Sequence, residues 1–331
     1  MNFADRLLRA IDKKENYVIV GLDPDVEFIP QHIQNESLDR FPPVSENDFR
    51  AVGYGFLKFN KQIIDAVEDL VPAVKLNVAF YEIYQAPGII ALDKTTKYAK
   101  EKGLVVIEDA KRNEVGNTAR KYAEGHLGRV KLFGREGETR KEVPSFDFDA
   151  MTVNGYLGSD CTLEFTKKCK QFDKGIFVLD KTSNPSAGEI QDLVLESGIK
   201  LSEEVAHMIE EKWSEGTAGK EGYKSVGAVV GATYAPDAEV LRRIMPSSIF
   251  LVPGLDPKVQ GGKPEDAPYF LNKDGRAAVF NLSRGAIAAF REPEYFEKYG
   301  EKNHYKAARE KVIKMREATT LATRKAEKSR W

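Results

Sequence analysis

From the N-terminus onward, the apolar positions alternate between two periodicities. Phe3, Leu7, Leu8 and Ile11 recur at helical spacing, and residues 17–22 (YVIVGL) follow as a short continuous apolar run closing on Asp23 and Pro24. Over residues 48–70 the set Phe49, Val52, Phe56, Phe59, Ile63, Val67 and Leu70 predicts a long amphipathic helix, with Ser45 and Asp48 as its start signal. Residues 73–78 (AVKLNV) read as a strand carrying a lysine inside an apolar run. A weaker helix ends near Lys102 at Gly103, and residues 104–107 (LVVI) form a third strand closing on Glu108 and Asp109. The alternation continues with strands at 149–153, 175–179, 225–230, 248–252 and 277–282. A helix around 161–170 separates the first two of these, and another opens at Pro236. Eight apolar strands separated by helices predict an α/β chain, a closed parallel (β/α)8 barrel of the TIM type. A doubly wound open sheet is the alternative, and the strand count favours the barrel.

The length beyond a minimal barrel goes into decorations. Residues 125–148 are polar and charged, a surface excursion between the third helix and the fourth strand. Residues 185–224 hold two helix candidates, one near 190–195 and one around Val205, Met208 and Ile209. The C-terminal stretch, about 300–331, is helical in composition and locally basic. With no internal repeat and no low-complexity linker, residues 1–331 read as one domain.

Composition narrows the classes of function. Of 331 residues 42% are hydrophobic and 31% charged, enough apolar material for a sizeable core. Lys and Arg number 50 against 51 Asp and Glu, a formal net charge of −1, so no global basic field draws the chain to nucleic acid or an anionic membrane. No run of eighteen apolar residues predicts a transmembrane helix, and the N-terminus MNFADRLLRAIDKK has no secretory pattern. Cys161 and Cys169 with four histidines give neither a zinc spacing nor a disulfide framework. A reducing, cytoplasmic setting without a metal is expected.

Catalytic groups of such a barrel belong at the C-terminal ends of its strands. The polar residues there are Asp23, Lys75 with Asn77, Asp109 with Lys111, Asn154, and Lys181 with Ser183, followed by glycine-rich stretches after Val252 and Leu282. An unpaired buried charge costs several kcal/mol, so charges closing several apolar strands imply an array of partners. Asp109 and Lys111, two apart, leave the strand on one side. Glu114 is placed to begin the next helix, where a carboxylate also suits the dipole. The loops after strands seven and eight (PGLDPKVQGG and NLSRG) stand where this fold binds phosphate, with Arg284 able to fork onto its oxygens.

These residues resemble the orotidine 5′-monophosphate decarboxylase family. DAKRNEVGNT is similar to its D-x-K-x-x-D signature. GLDPD at strand one, KLNVAFYE at strand two, KTSNP after strand five, VPGLDPKVQGG after strand seven and SRGAI after strand eight resemble the family in the expected order. The resemblance spans roughly residues 3–291 and is nearest the bacterial and apicomplexan branch. It implies a charged tetrad of Lys75, Asp109, Lys111 and Glu114, the last with Thr118 reaching into a partner subunit's site, and hence a homodimer with shared active sites. It further implies that Asp23, Asn77 and Thr118 contact ribose hydroxyls and Ser183 the imide edge of the pyrimidine. Pro253 would wall the base, Gln260 and Arg284 would hold the phosphate, and residues 256–268 would close as a lid. The implied reaction is cofactor-free conversion of orotidine 5′-monophosphate to UMP and CO2.

Two departures stand out. Glu114 replaces the family's aspartate, lengthening the side chain by about 1.5 Å, and Gly155 stands where proline is commoner. The competing expectations are a Mg²⁺-dependent sugar-phosphate decarboxylase or aldolase on the same barrel, and a non-catalytic nucleotide-binding relative that lost the tetrad through Glu114. The chain is too short for an added phosphoribosyltransferase domain. Association with a separate orotate phosphoribosyltransferase leaves no trace in the sequence.

Overall fold

The computed structural model describes residues 1–136, 138–258 and 261–331. Among them, eight parallel strands close a barrel: β1 (Val18–Gly21), β2 (Ala73–Asn77), β3 (Val105–Arg112), β4 (Ala150–Val153), β5 (Gly175–Lys181), β6 (Lys224–Val230), β7 (Ser248–Pro253) and β8 (Ala278–Leu282). Around the ring the order is β1-β8-β7-β6-β5-β4-β3-β2. All eight expected strands are present. They are uninterrupted apolar runs because both faces are covered, and β1, β4 and β8 are buried at every position.

Two strands run further than the apolar pattern suggested. β3 continues through Asp109 and Lys111 to Arg112, and β5 continues to Lys181. In both, polar side chains carry the strand past the end of the apolar core, where hydropathy no longer marks it.

Contacts divide the chain into two compact units. One comprises Met1–Leu8, Ala110–Pro253 and Tyr269–Ala278; the other comprises Arg9–Asp109, Gly254–Pro268 and Val279–Trp331. In the second unit, Val20 of β1 pairs with Val74 of β2, and Asn77 of β2 with Asp109 of β3. The expected helix over residues 48–70 is Arg50–Val67, burying Phe56, Phe59, Ile63 and Val67. Each such side chain removed from water contributes about 1.5–3 kcal/mol. Asp48 accepts the Arg50 backbone N–H and pairs with its guanidinium at 2.6 Å, fixing the helix entry. The basic C-terminal stretch is a 22-residue helix, His304–Lys325, that buries Ala307, Ala308, Val312 and Met315. Trp331 beyond it stacks on Tyr17 with centroids 4.7 Å apart.

In the first unit, β5 and β6 pair in register except for a shift between Leu179 and Lys181. The polar excursion at 125–148 carries a short antiparallel ribbon, Arg129–Lys131 with Glu142–Pro144, too brief and charged for an alternation signal. The stretch 185–224 holds helices Gly188–Gln191 and Leu201–His207, the latter running into a π-turn over Met208–Trp213. Trp213 explains the glycine at 155. A Cβ there would stand 3.0 Å from the indole carbons Cη2 and Cζ3, so the missing side chain makes room for the tryptophan as well as shaping the turn.

Candidate active site

A lysine inside an apolar strand must find countercharge, and Lys75 finds two. Its side chain is buried, with Nζ 2.9 Å from Asp109 Oδ2 on β3 and 3.6 Å from Asp23 Oδ1 just beyond β1. Burial alone pushes its pKa down. The Asp109 and Asp23 carboxylates more than offset this, so the ammonium is held above its ordinary value. Asp23 Oδ1 also accepts the Asn77 backbone N–H at 3.2 Å, and Asn77 Oδ1 accepts that of Ala79. Four of the expected site residues, Asp23, Lys75, Asn77 and Asp109, are thus brought together at the ends of β1, β2 and β3.

Behind this cluster lies a support that the sequence did not single out. The buried Tyr81 hydroxyl donates to the Leu22 carbonyl at 2.7 Å, one residue before Asp23, and accepts from Asn60 Nδ2 at 2.9 Å. Burial drives the Tyr81 phenol well above its usual pKa, keeping it a neutral donor. Tyr81 is the tyrosine of KLNVAFYE, and only its burial against the Leu22 carbonyl gives it a task.

The loop after β7 is anchored from below. Asp256, at the start of the segment expected to close as a lid, is buried. Its Oδ1 accepts the Lys258 N–H at 3.0 Å, and its Oδ2 lies 3.4 Å from Lys311 Nζ on the C-terminal helix. Lys311 also reaches Glu292 at 3.0 Å. Asp256 packs so closely on Gly285 that a Cβ there would stand 2.1 Å from Oδ2. Beside Gly285, Arg284 is exposed, its guanidinium carbon 5.8 Å from the Phe28 ring centre. Gln260 lies outside the described residues.

In the other unit, Lys111 has φ 50°, the left-handed region that non-glycine residues rarely occupy. Such a conformation costs about 1–3 kcal/mol and persists only where its surroundings hold it. One holder is Thr152 on β4, whose Oγ1 accepts the Lys111 backbone N–H at 2.9 Å. Lys111 is exposed in the single chain. Val115 to Thr118, the cap and first residues of the next helix, are equally exposed. Glu114 does not begin the helix: it starts at Gly116, with Val115 as its cap. The Glu114 carboxylate instead turns back to accept the Val115 N–H at 2.7 Å. The extra methylene relative to aspartate is taken up in that local turn.

Ser183 is half-buried in the loop after β5, and Pro253 ends β7, its carbonyl accepting the Ala232 N–H at 2.9 Å. Among the described residues, no three His, Cys, Asp or Glu side chains converge to hold a metal ion, and no helix is long and apolar enough to cross a membrane.

The fold and this set of strand-end charges agree with comparisons to known proteins. Residues 16–298 match the orotidine 5′-phosphate decarboxylase / HUMPS family, and the chain belongs to it. An orotidine 5′-phosphate decarboxylase of Caldicellulosiruptor saccharolyticus is 41% identical over 309 residues, covering 93% of this chain and 96% of its own. One of Rhodopirellula baltica is 37% identical over 317 residues, covering 96% and 98%. The solved OMP decarboxylase of Leishmania donovani superposes with a TM-score of 0.67 at 25% identity, covering 96% of this chain and 99% of the other.

Proposed function

We propose that the chain catalyses decarboxylation of orotidine 5′-monophosphate to UMP and CO2, a step of pyrimidine biosynthesis. The observation that carries this reading is Lys75, buried and fixed between Asp23 and Asp109, in a chain whose family match runs from residue 16 to 298. Two carboxylates that could otherwise attract a divalent cation already share an ammonium, which favours charge chemistry without a metal over the Mg²⁺-dependent alternative.

The chemical obstacle is a carbanion in the ring plane at C6. When the C6–carboxylate bond breaks, CO2 departs and the electron pair stays on C6, with no π-system to spread it. Lys111 stabilises that charge and delivers its Nζ proton to C6, then regains a proton from solvent. Preorganised charge of this kind is commonly the largest catalytic contribution. The left-handed backbone of Lys111 supports the assignment, because strain held in place tends to mark functional positions. Asp109 stands beside the departing carboxylate. Two like charges about 4 Å apart repel by about 4 kcal/mol at an effective dielectric near 20, which aids the step without supplying all of it. Lys75 holds Asp109 in position.

Asp23, Asn77 and Thr118 take the ribose hydroxyls, Ser183 the imide edge, Pro253 the face of the base, and Gln260 with Arg284 the phosphate. Phosphate binding closes the segment after the Asp256 anchor, so that remote binding energy serves the reacting centre. In a single chain Thr118 is exposed and Glu114 half-buried, which suits residues near the surface that reach into a second copy, so a homodimer with shared sites is part of the proposal.

The test is the loss of orotidylate absorbance with purified protein, with and without a chelator. Turnover insensitive to EDTA is expected. Turnover abolished by EDTA would favour metal chemistry. UMP binding without turnover would make the chain a nucleotide-binding relative.

A further inference from the structure

Ser183 presents one rotatable hydroxyl on a surface loop, and a hydrogen bond tolerates only a few tenths of an ångström in heavy-atom distance. Base recognition through such a group needs a loop that is itself held. The holder is the inserted segment after Pro185. Both ends of the Gln191 amide engage the neighbour of Ser183: Oε1 accepts the Thr182 N–H at 2.9 Å, and Nε2 donates to Thr182 Oγ1 at 2.8 Å. Thr182 Oγ1 donates in turn to Asn184 Oδ1 at 2.6 Å, closing the loop around Ser183.

The adjacent residue holds the strand end. Lys181 is fully buried, and its Nζ donates to Asp192 Oδ2 at 2.7 Å. Gly188 makes this possible, since a Cβ there would stand 2.8 Å from the same oxygen. Lys200 ties Asp192 at 3.1 Å to Asp237 at 2.9 Å, binding the short helix to the next barrel helix. From the opposite side Gly231 presses on the loop. Its N–H donates to the Lys181 carbonyl at 2.7 Å, and a Cβ would lie 2.8 Å from the N, Cα and Cβ of Ser183.

We propose that the helix Gly188–Gln191 and the residue after it serve base recognition, with Gln191 and Asp192 as positioning residues that set the place of the Ser183 hydroxyl. This rests on the reading that Ser183 meets the pyrimidine. The insertion is then part of the specificity apparatus for a pyrimidine nucleotide rather than a surface decoration.

The experiment compares binding of UMP and of ribose 5-phosphate, which lacks the base, by calorimetry on the full chain. Gln191→Ala should weaken UMP at least tenfold and leave ribose 5-phosphate within twofold, with kcat/KM for orotidine 5′-monophosphate falling alongside UMP affinity. Gln191→Glu keeps the acceptor for the Thr182 N–H and should fall between wild type and alanine. It also serves if the alanine variant folds poorly. Ser183→Ala separates the two levels. If it leaves UMP binding unchanged, the reading of Ser183 fails and the inference with it. If Ser183→Ala weakens UMP but Gln191→Ala does not, the inference alone is overturned. Equal weakening of both ligands by Gln191→Ala would likewise overturn it, as general loosening of the fold.

Discussion

Lys75 Nζ stands 2.9 Å from Asp109 Oδ2 although their residues are not opposite in the sheet: Lys75 pairs with Ile107, and Asp109 lies one pleat higher, beside Asn77. The lysine therefore reaches up the barrel toward the open end, and its charge is spent on fixing carboxylates there. Removing one partner from a buried pair costs about 3–5 kcal/mol, because the remaining charge stays buried. Lys75→Met should lower unfolding stability in urea by about that amount at pH 7, and activity with it. The raised pKa sets the pH behaviour. The contribution is fully present below the unfolded value of 10.5 and is lost as pH rises through the higher folded value. The stability gap between wild type and Lys75→Met should therefore be flat from pH 7 to 10 and narrow only beyond.

A second prediction concerns the loop after β7, proposed to bind phosphate. Gly285 lies against Asp256, and a methyl group there would meet Oδ2 at 2.1 Å. Gly285→Ala must displace either the loop or the turn that carries Arg284. KM for orotidine 5′-monophosphate should rise at least tenfold in steady-state kinetics. An unchanged KM would mean that the Asp256 anchor is irrelevant to phosphate binding.

Glu114 yields a third. Its carboxylate is already committed to the Val115 N–H at 2.7 Å, so the surroundings are fitted to the longer acid. Restoring the family's residue by Glu114→Asp should lower kcat by about ten- to a hundredfold, the scale on which displacements near 1 Å act. A rise in kcat would instead mark the glutamate as a handicap.

His304 gives a pH prediction away from the site. Burial against the stacked Phe59 ring 4.9 Å away holds it down to about 4, with His32 nearby pushing the same way. Between about 4 and the unfolded 6.5, the unfolded chain binds a proton that the folded one refuses. Stability therefore falls as pH drops through that window, by about 3 kcal/mol in total. His304→Phe should flatten this limb in urea titrations between pH 7 and 4.

The barrel was legible in the sequence because its strands, buried on both faces, are continuous apolar runs bounded by polar residues. The Asp23, Lys75 and Asp109 cluster was legible because charges at the ends of such runs demand partners. What stayed hidden has no one-dimensional signal. The left-handed turn at Lys111 falls on a residue type that does not announce it. The Asp256–Lys311 tie joins residues 55 positions apart, one in a segment expected to close as a lid and one in a helix whose sequence shows only its basic character. Gly231 and Gly285 look like ordinary turn glycines until the backbone or carboxylate against them is seen. Gln191 sits in a stretch whose length marked it as an insertion and nothing more.

The role of Lys111 is tested most directly by measuring, on Lys111→Ala, both the rate of orotidylate absorbance loss and the affinity for UMP. Turnover should fall below detection while UMP binds within an order of magnitude of wild type. Near-normal turnover would contradict the assignment of Lys111 as the proton donor.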